Sequence, residues 1–198
     1  MAKVNIFNAD KKYKIIYADP PWKYDDSGCK GACENHYNTM TLQDLCNLPI
    51  KDITDKDCVL FLWTTYPMLQ EAMQLISDWG FTYKSIGFQW VKLNKNAIKN
   101  FKQVSFLDNL TQLLKKSCFY GLGRWTRGNT EPCLIATKGK IKRINSGVSQ
   151  LIFAPIKRHS EKPEEARRRI LELIGDLPRI ELFARQAIDG WDCWGNEV

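Results

Sequence analysis

The sequence predicts an α/β fold built on a doubly wound, mostly parallel sheet, and three observations predict it. Short apolar runs of strand length recur at Lys14–Ala18, Cys58–Thr64, Lys84–Lys92, Glu131–Thr137, Leu151–Ala154 and Arg179–Phe183. Helical periodicity separates several of them, most clearly over Pro67–Trp79 and Ser160–Ile174. The Cys58–Thr64 run is continuous rather than alternating, as in a strand covered on both faces, and strands alternating with helices imply right-handed crossovers. At 198 residues the chain reads as one domain, 1–198, long enough to bury a substantial core.

Residues 1–13 are polar and read as a leader. Lys14–Ala18 is then a short buried strand, ended by Asp19-Pro20-Pro21-Trp22. The prolines remove two backbone donors, which leaves the carbonyls of Asp19 and Pro20 without strand partners. Asp19 falls at the carboxyl end of the strand, where open α/β sheets bind ligands. A carboxylate, a free carbonyl and the Trp22 π-face suit a planar base with an exocyclic amine. A Pro-Pro turn with Asp19 as cap and Trp22 as core accounts for the tetrapeptide equally well, so these residues alone leave both readings open.

Lys23–Met40 is rich in Gly, Asp, Ser and Asn and reads as a lid-like loop. Thr41 caps a short helix to about Leu48, with Asp44 completing a capping box. Cys58–Thr64 reads as a central parallel strand. In the following helix Leu69, Met73 and Ile76 are expected to face the sheet, and Gly80 stops it. Between residues 95 and 119 an insertion carries Val104, Leu107, Leu110, Leu113 and Leu114 at helical spacing. A helix over Val104–Lys116 follows, its apolar stripe expected on the domain.

Gly121–Thr130 is a glycine-punctuated loop with Arg124, Trp125 and Arg127, a mixture that suits phosphate gripping and base stacking. It leads into the strand that begins at Glu131. Ser160 is expected to cap the helix running to about Ile174, with Pro163 in its first turn, and Gly175 to close it. Arg185 follows the last strong strand, and Asn196 and Glu197 stand near the chain's end.

The formal charge is +7, and it is unevenly placed. Residues 92–143 hold twelve Lys or Arg against two acids, Asp108 and Glu131, which favours contact with a phosphate backbone. No run is long enough to span a membrane, and the N-terminus lacks the apolar core of a signal peptide. Seven cysteines without that signal fit reduced thiols in the cytoplasm. Cys29, Cys33 and His36 lack an evident fourth ligand, so no metal is expected.

The ordered set Asp19-Pro20-Pro21-Trp22, His36-Tyr37-Asn38-Thr39-Met40, Phe61-Leu62-Trp63, Trp90-Val91-Lys92, Asn129-Thr130-Glu131-Pro132-Cys133-Leu134 and Glu181-Leu182-Phe183-Ala184-Arg185 resembles the MTA-seventy (MT-A70) family. The resemblance runs from about Tyr13 to Glu197, the insertion apart. It implies a Rossmann-like S-adenosylmethionine-dependent methyltransferase fold with a permuted motif order, the catalytic motif preceding the cofactor motif. It implies methylation of adenine N6 in nucleic acid, DNA favoured over RNA, with a homo- or heterodimer left open.

By that resemblance Asp19, Pro20, Pro21 and Trp22 are catalytic. Asp19, Lys162, Arg185, Asn196 and Glu197 hold the cofactor, with Lys162 near the methionine carboxylate at a helix N-terminus. Tyr37, Trp63, Arg124, Trp125, Arg127 and Glu131 meet the substrate. The last strand lacks the usual Gly-x-Gly of such enzymes, and Ala187 stands where many relatives carry a histidine. A non-catalytic, methyltransferase-like binding subunit is the rival; retention of Asp19, Lys162, Arg185 and Asn196 favours the enzyme. Cytosine N4 methylation uses the same amine chemistry, but Asp at position 19 favours adenine.

Overall fold

The structure is a computed structural model that describes residues 2–24, 39–97, 110–121, 125–158 and 161–195. The expectations for Tyr37, Arg124, Asn196, Glu197, most of the lid-like loop over Lys23–Met40 and the Cys29, Cys33 and His36 group fall outside these residues. Seven strands form one sheet: β1 (Tyr13–Ala18), β2 (Thr54–Trp63), β3 (Thr82–Leu93), β4 (Thr130–Lys138), β5 (Leu151–Pro155), β6 (Arg179–Leu182) and β7 (Asp192–Trp194), in the order β5-β3-β4-β2-β1-β6-β7. Adjacent strands pair in parallel except at β4, which runs against both β2 and β3. The sheet is therefore mostly parallel, and β2 is parallel to its β1 neighbour alone.

Alternate residues of each strand feed opposite faces of the sheet. On one face Ile16, Leu60, Leu62 and Ile180 pack with Leu45 of α1 (Leu42–Cys46) and with Leu75 and Ile76 of α3 (Leu69–Asp78). On the other, Ile15, Tyr17, Val59, Phe61 and Trp63 pack with Ala166, Ile170 and Ile174 of α5 (Glu164–Ile174). Both faces of the central strands are covered, which explains their continuous apolar runs and bears out the doubly wound reading.

Local signals hold in part. Thr41 caps α1 with the full capping box to Asp44. Beyond Pro49 the short helix α2 (Ile50–Ile53) precedes β2, which starts earlier than its apolar run. A 3-10 turn at Tyr66–Met68 leads into α3, and the buried stripe is Ala72, Leu75 and Ile76, whereas Met73 is 41% exposed. Met73 is thus a correction, while Ile76 is buried and Leu69 packs against the same cluster as expected. The helix α4 (Leu110–Ser117) overlaps the second half of the expected insertion helix and ends one residue past Lys116, residues 104–109 lying outside the described ones; Leu114 is exposed rather than packed on the domain. The helix α5 starts at Glu164 with Pro163 as its N-cap, so the cap is Pro163 and not Ser160, and Pro163 lies just outside the first turn. Its fixed φ of −64° and extended ψ suit that place, where no N–H is needed.

The strand β7 lacks an apolar run long enough to announce it. The leader completes it: Lys3 bridges Cys193 in parallel, and Asp192 accepts from Lys11 at 2.5 Å, the Tyr13 hydroxyl at 3.0 Å and the Ala2 amide at 3.0 Å. No helix among the described residues is long and apolar enough to cross a membrane.

Candidate active site

Six strands present their carboxyl ends on one side of the sheet, and β4, running the other way, brings its first residues there. A cavity of about 300 Å³ opens at this edge, lined in part by Asp19, Trp22, Trp90, Lys92, Glu131 and Lys162. Asp19 follows the last residue of β1, and Lys162 sits just before α5. Trp90 and Lys92 are two apart on β3 and so share a face; Trp90 stands opposite Glu131 in the β3–β4 ladder.

These side chains form one alternating chain of charge. Lys162 Nζ lies 2.8 Å from Asp19 Oδ2 and 3.1 Å from Glu131 Oε1, while Glu131 Oε2 lies 2.5 Å from Lys92 Nζ. The Lys162 and Glu131 side chains are 4% and 8% exposed, and that of Asp19 is 21% exposed. Asp19 is thus the member of the buried trio that a ligand reaches most readily.

The cations rest on aromatic rings. Lys162 Nζ is 5.8 Å from the Trp63 ring centroid, and Lys92 Nζ is 5.0 Å from that of Trp90. Trp63 is fixed from behind: its Nε1 donates to the Tyr17 hydroxyl at 2.7 Å. Arg167 lies over the Tyr17 ring at 5.4 Å and grips both oxygens of Glu181 at 2.7 and 2.6 Å. A packed polar layer thereby holds the floor of the cavity in one arrangement.

The protonation preferences follow from this packing. Burial pushes the Asp19 carboxyl above its ordinary value, and Lys162 only partly offsets it. Burial also raises Glu131, but Lys162 and Lys92 outweigh it and hold the group low. Burial would lower Lys162, yet Asp19 and Glu131 together push it up, so it stays charged. The site is a neutralised ion cluster with one acceptor, Asp19, turned to the cavity.

The MT-A70 family model matches residues 13–197. The chain belongs to the MT-A70 family. The type II methyltransferase M.MunI of Mycoplasma sp is 35% identical over 208 residues, covering 95% of this chain and 78% of that protein. The METTL3 N(6)-adenosine-methyltransferase catalytic subunit of Homo sapiens is 27% identical over 191 residues, and the MT-A70-like N(6)-adenosine-methyltransferase of Drosophila melanogaster is 26% identical. Each covers 94% of this chain, which spans 28% and 27% of their lengths. The MT-A70 reaction is methylation of adenine N6, and this chain is a methyltransferase of that family.

Within the MT-A70 frame the described sequence-predicted residues take four kinds of place. Asp19, Pro20, Trp22, Glu131 and Lys162 meet at the cavity. Arg185, just past β6, lies close enough to Asp19 to help hold its carboxyl down. Trp63 is wholly buried and supports Lys162 from below instead of lining the cavity. Trp125 and Arg127 are exposed on a loop beyond the rim, and Trp125 is 98% exposed.

Two expectations of the Asp-Pro-Pro-Trp motif are corrected. The Pro20 carbonyl is not free, since it accepts the Trp22 amide at 2.9 Å, a tight turn that leaves one lone pair for a ligand. The Pro21 carbonyl accepts from the Met40 amide at 2.8 Å. Trp22 does not present an open π-face: it is 5% exposed, packs in the core and donates its Nε1 to the Trp63 carbonyl at 3.3 Å.

Lys92, Trp90, Phe119 and Arg158 line the cavity without having been singled out as site residues. The Trp-Val-Lys spacing on a strand could have pointed to the first two; Phe119 and Arg158 carry no local signal. The missing Gly-x-Gly also has a structural counterpart. Phe183 turns with a φ of 60°, and a Cβ on Gly195 would stand 2.3 Å from the Ala184 carbonyl oxygen. The close backbone approach is made by a glycine from β7's end instead of one inside the β6 turn.

Proposed function

We propose that this protein transfers a methyl group from S-adenosylmethionine to N6 of adenine in DNA. The observation that carries the reading is the placement of the Asp19 carboxylate at a cavity mouth, held at 2.8 Å by the buried Lys162. The donor set fits the cofactor. Its methionine end carries a carboxylate and an ammonium, and the cavity offers Lys162, Arg158 and Asp19, with Arg185 near Asp19. When bound, the cofactor supplies an electrophilic methyl on a sulfonium.

Adenine N6 is a weak nucleophile because its lone pair is delocalised into the ring. Asp19 accepts one N6–H, and the remaining lone pair of the Pro20 carbonyl accepts the other, which favours a pyramidal nitrogen with its lone pair free. Asp19 also stabilises the positive charge that develops on N6, and its raised basicity suits it to take the proton released after transfer. Lys162 keeps the buried carboxylate ionised; Glu131 and Lys92 balance Lys162 in turn. Pro20, Pro21 and the Trp22 amide fix the turn that aims these acceptors.

The DNA preference rests on the 35% identity to a type II methyltransferase, while the basic charge supports a nucleic acid of either kind. Free thiols at Cys46, Cys58, Cys118, Cys133 and Cys193 support a reducing compartment, the cytoplasm. Transfer of labelled methyl from S-adenosylmethionine to duplex DNA, denatured DNA and RNA in parallel, followed by nucleoside analysis, tests the assignment. Label in N6-methyladenine from DNA is expected; label confined to RNA would overturn the DNA preference.

A further inference from the structure

We propose that Trp125 is a wedge that enters the base stack of duplex DNA and fills the gap left by the target adenine. The proposal rests on the reading of the protein as an adenine methyltransferase acting on DNA. An adenine paired within a duplex cannot bring its N6 to the mouth of a cavity at the end of a sheet. The base must leave the stack, and the two base faces it abandons then need a flat apolar partner.

Trp125 is placed for this. The segments leading to it leave the cavity wall on both sides of Lys92, whose carbonyl accepts from the Phe119 amide at 2.8 Å and whose amide donates to the Asn129 carbonyl at 2.8 Å. The two segments then close on each other, the Gly121 amide donating to the Gly128 carbonyl at 2.7 Å. A Cβ on Gly121 would lie 3.0 Å from that same oxygen, a tight contact at a narrow neck. Lys92 and Phe119 line the cavity, and Trp125 stands four residues from Asn129, within roughly 14 Å of extended chain.

Beyond this narrow stalk Trp125, the largest kind of side chain, is 98% exposed. Tryptophan is enriched among the side chains that a partner covers, because its ring buries a large area at little entropic cost. Its surroundings select the partner. Arg127 is exposed two residues away, and Lys115 and Lys116 are exposed in the last turn of helix α4. Such a surface attracts a polyanion, and the stalk lets the ring pass between base pairs while the cations meet phosphates.

Labelled methyl transfer to unmethylated plasmid DNA, as duplex and after heat denaturation, tests the proposal with wild type, Trp125→Ala and Trp125→Phe. The ratio of duplex to denatured activity is expected to fall about tenfold in Trp125→Ala, the scale of one lost base–aromatic stack, and to recover in Trp125→Phe. An unchanged ratio in Trp125→Ala would overturn the wedge. So would a wild type active on denatured DNA alone, or a loss in Trp125→Ala matched by a change of oligomeric state in sedimentation. A wild type that methylates neither form overturns instead the reading on which the wedge rests.

Discussion

Lys162 Nζ stands 2.8 Å from Asp19 Oδ2, joining the start of helix α5 to the end of strand β1 across 143 residues of sequence. Its removal in Lys162→Met leaves Asp19 and Glu131 as buried carboxylates without their shared cation. Loss of the nearby positive charge raises the Asp19 pKa further. The acid limb of the rate profile is therefore expected to move to higher pH. Breaking the buried pair should also cost about 3–5 kcal/mol of stability. A pH series of kcat/KM with a urea melt checks both.

The same cluster predicts how stability follows pH. Glu131 is held below 4.5, so its contribution is present above that value and is lost as the pH falls through its folded value. Asp19 is held above 3.8 and acts in the opposite sense, its contribution lost as the pH rises through its folded value. Glu131→Gln is expected to flatten the acid side of a stability–pH curve measured by urea unfolding.

The sheet was largely legible because its central strands are buried on both faces and so read as unbroken apolar runs. The strand β7 was not: three residues, completed by the leader through Lys3 and Cys193, give no periodicity to read. Asp19 and Lys162 were legible at the site, since a motif at a strand end and a lysine before a helix each carry a local reason. Their direct pairing was not, because it depends on which strands become neighbours. Trp22 and Trp63 show the same limit. An indole in a motif suits stacking or core equally, and burial decided for core in both.

Tyr17 tests the support beneath the site. In Tyr17→Phe the buried Trp63 Nε1 loses its acceptor at 2.7 Å, which should cost about 1–3 kcal/mol. Urea unfolding is expected to show a lower midpoint with an unchanged slope. An unchanged midpoint would mean that Trp63 is held by packing alone.

Gly195 tests whether the Phe183–Arg185 turn serves the cofactor. A methyl at this position meets the Ala184 oxygen at 2.3 Å and the Ala184 nitrogen at 2.6 Å, so the Phe183–Arg185 turn must shift. Gly195→Ala is expected to weaken S-adenosylmethionine binding, with overpacking costing about 1–3 kcal/mol. Calorimetry on the wild type and variant reads this directly, and equal affinities would remove the turn from the cofactor site.

The central claim is that Asp19 accepts from the adenine amine while a methyl group is transferred to N6. The most direct measurement is single-turnover transfer of labelled methyl to duplex DNA by wild type and Asp19→Ala, with the DNA digested to nucleosides. Label is expected in N6-methyladenine with the wild type. The folded variant, checked by circular dichroism, should be slower by on the order of a hundred- to a thousandfold. Label in another nucleoside, or wild-type rates from folded Asp19→Ala, would contradict the account.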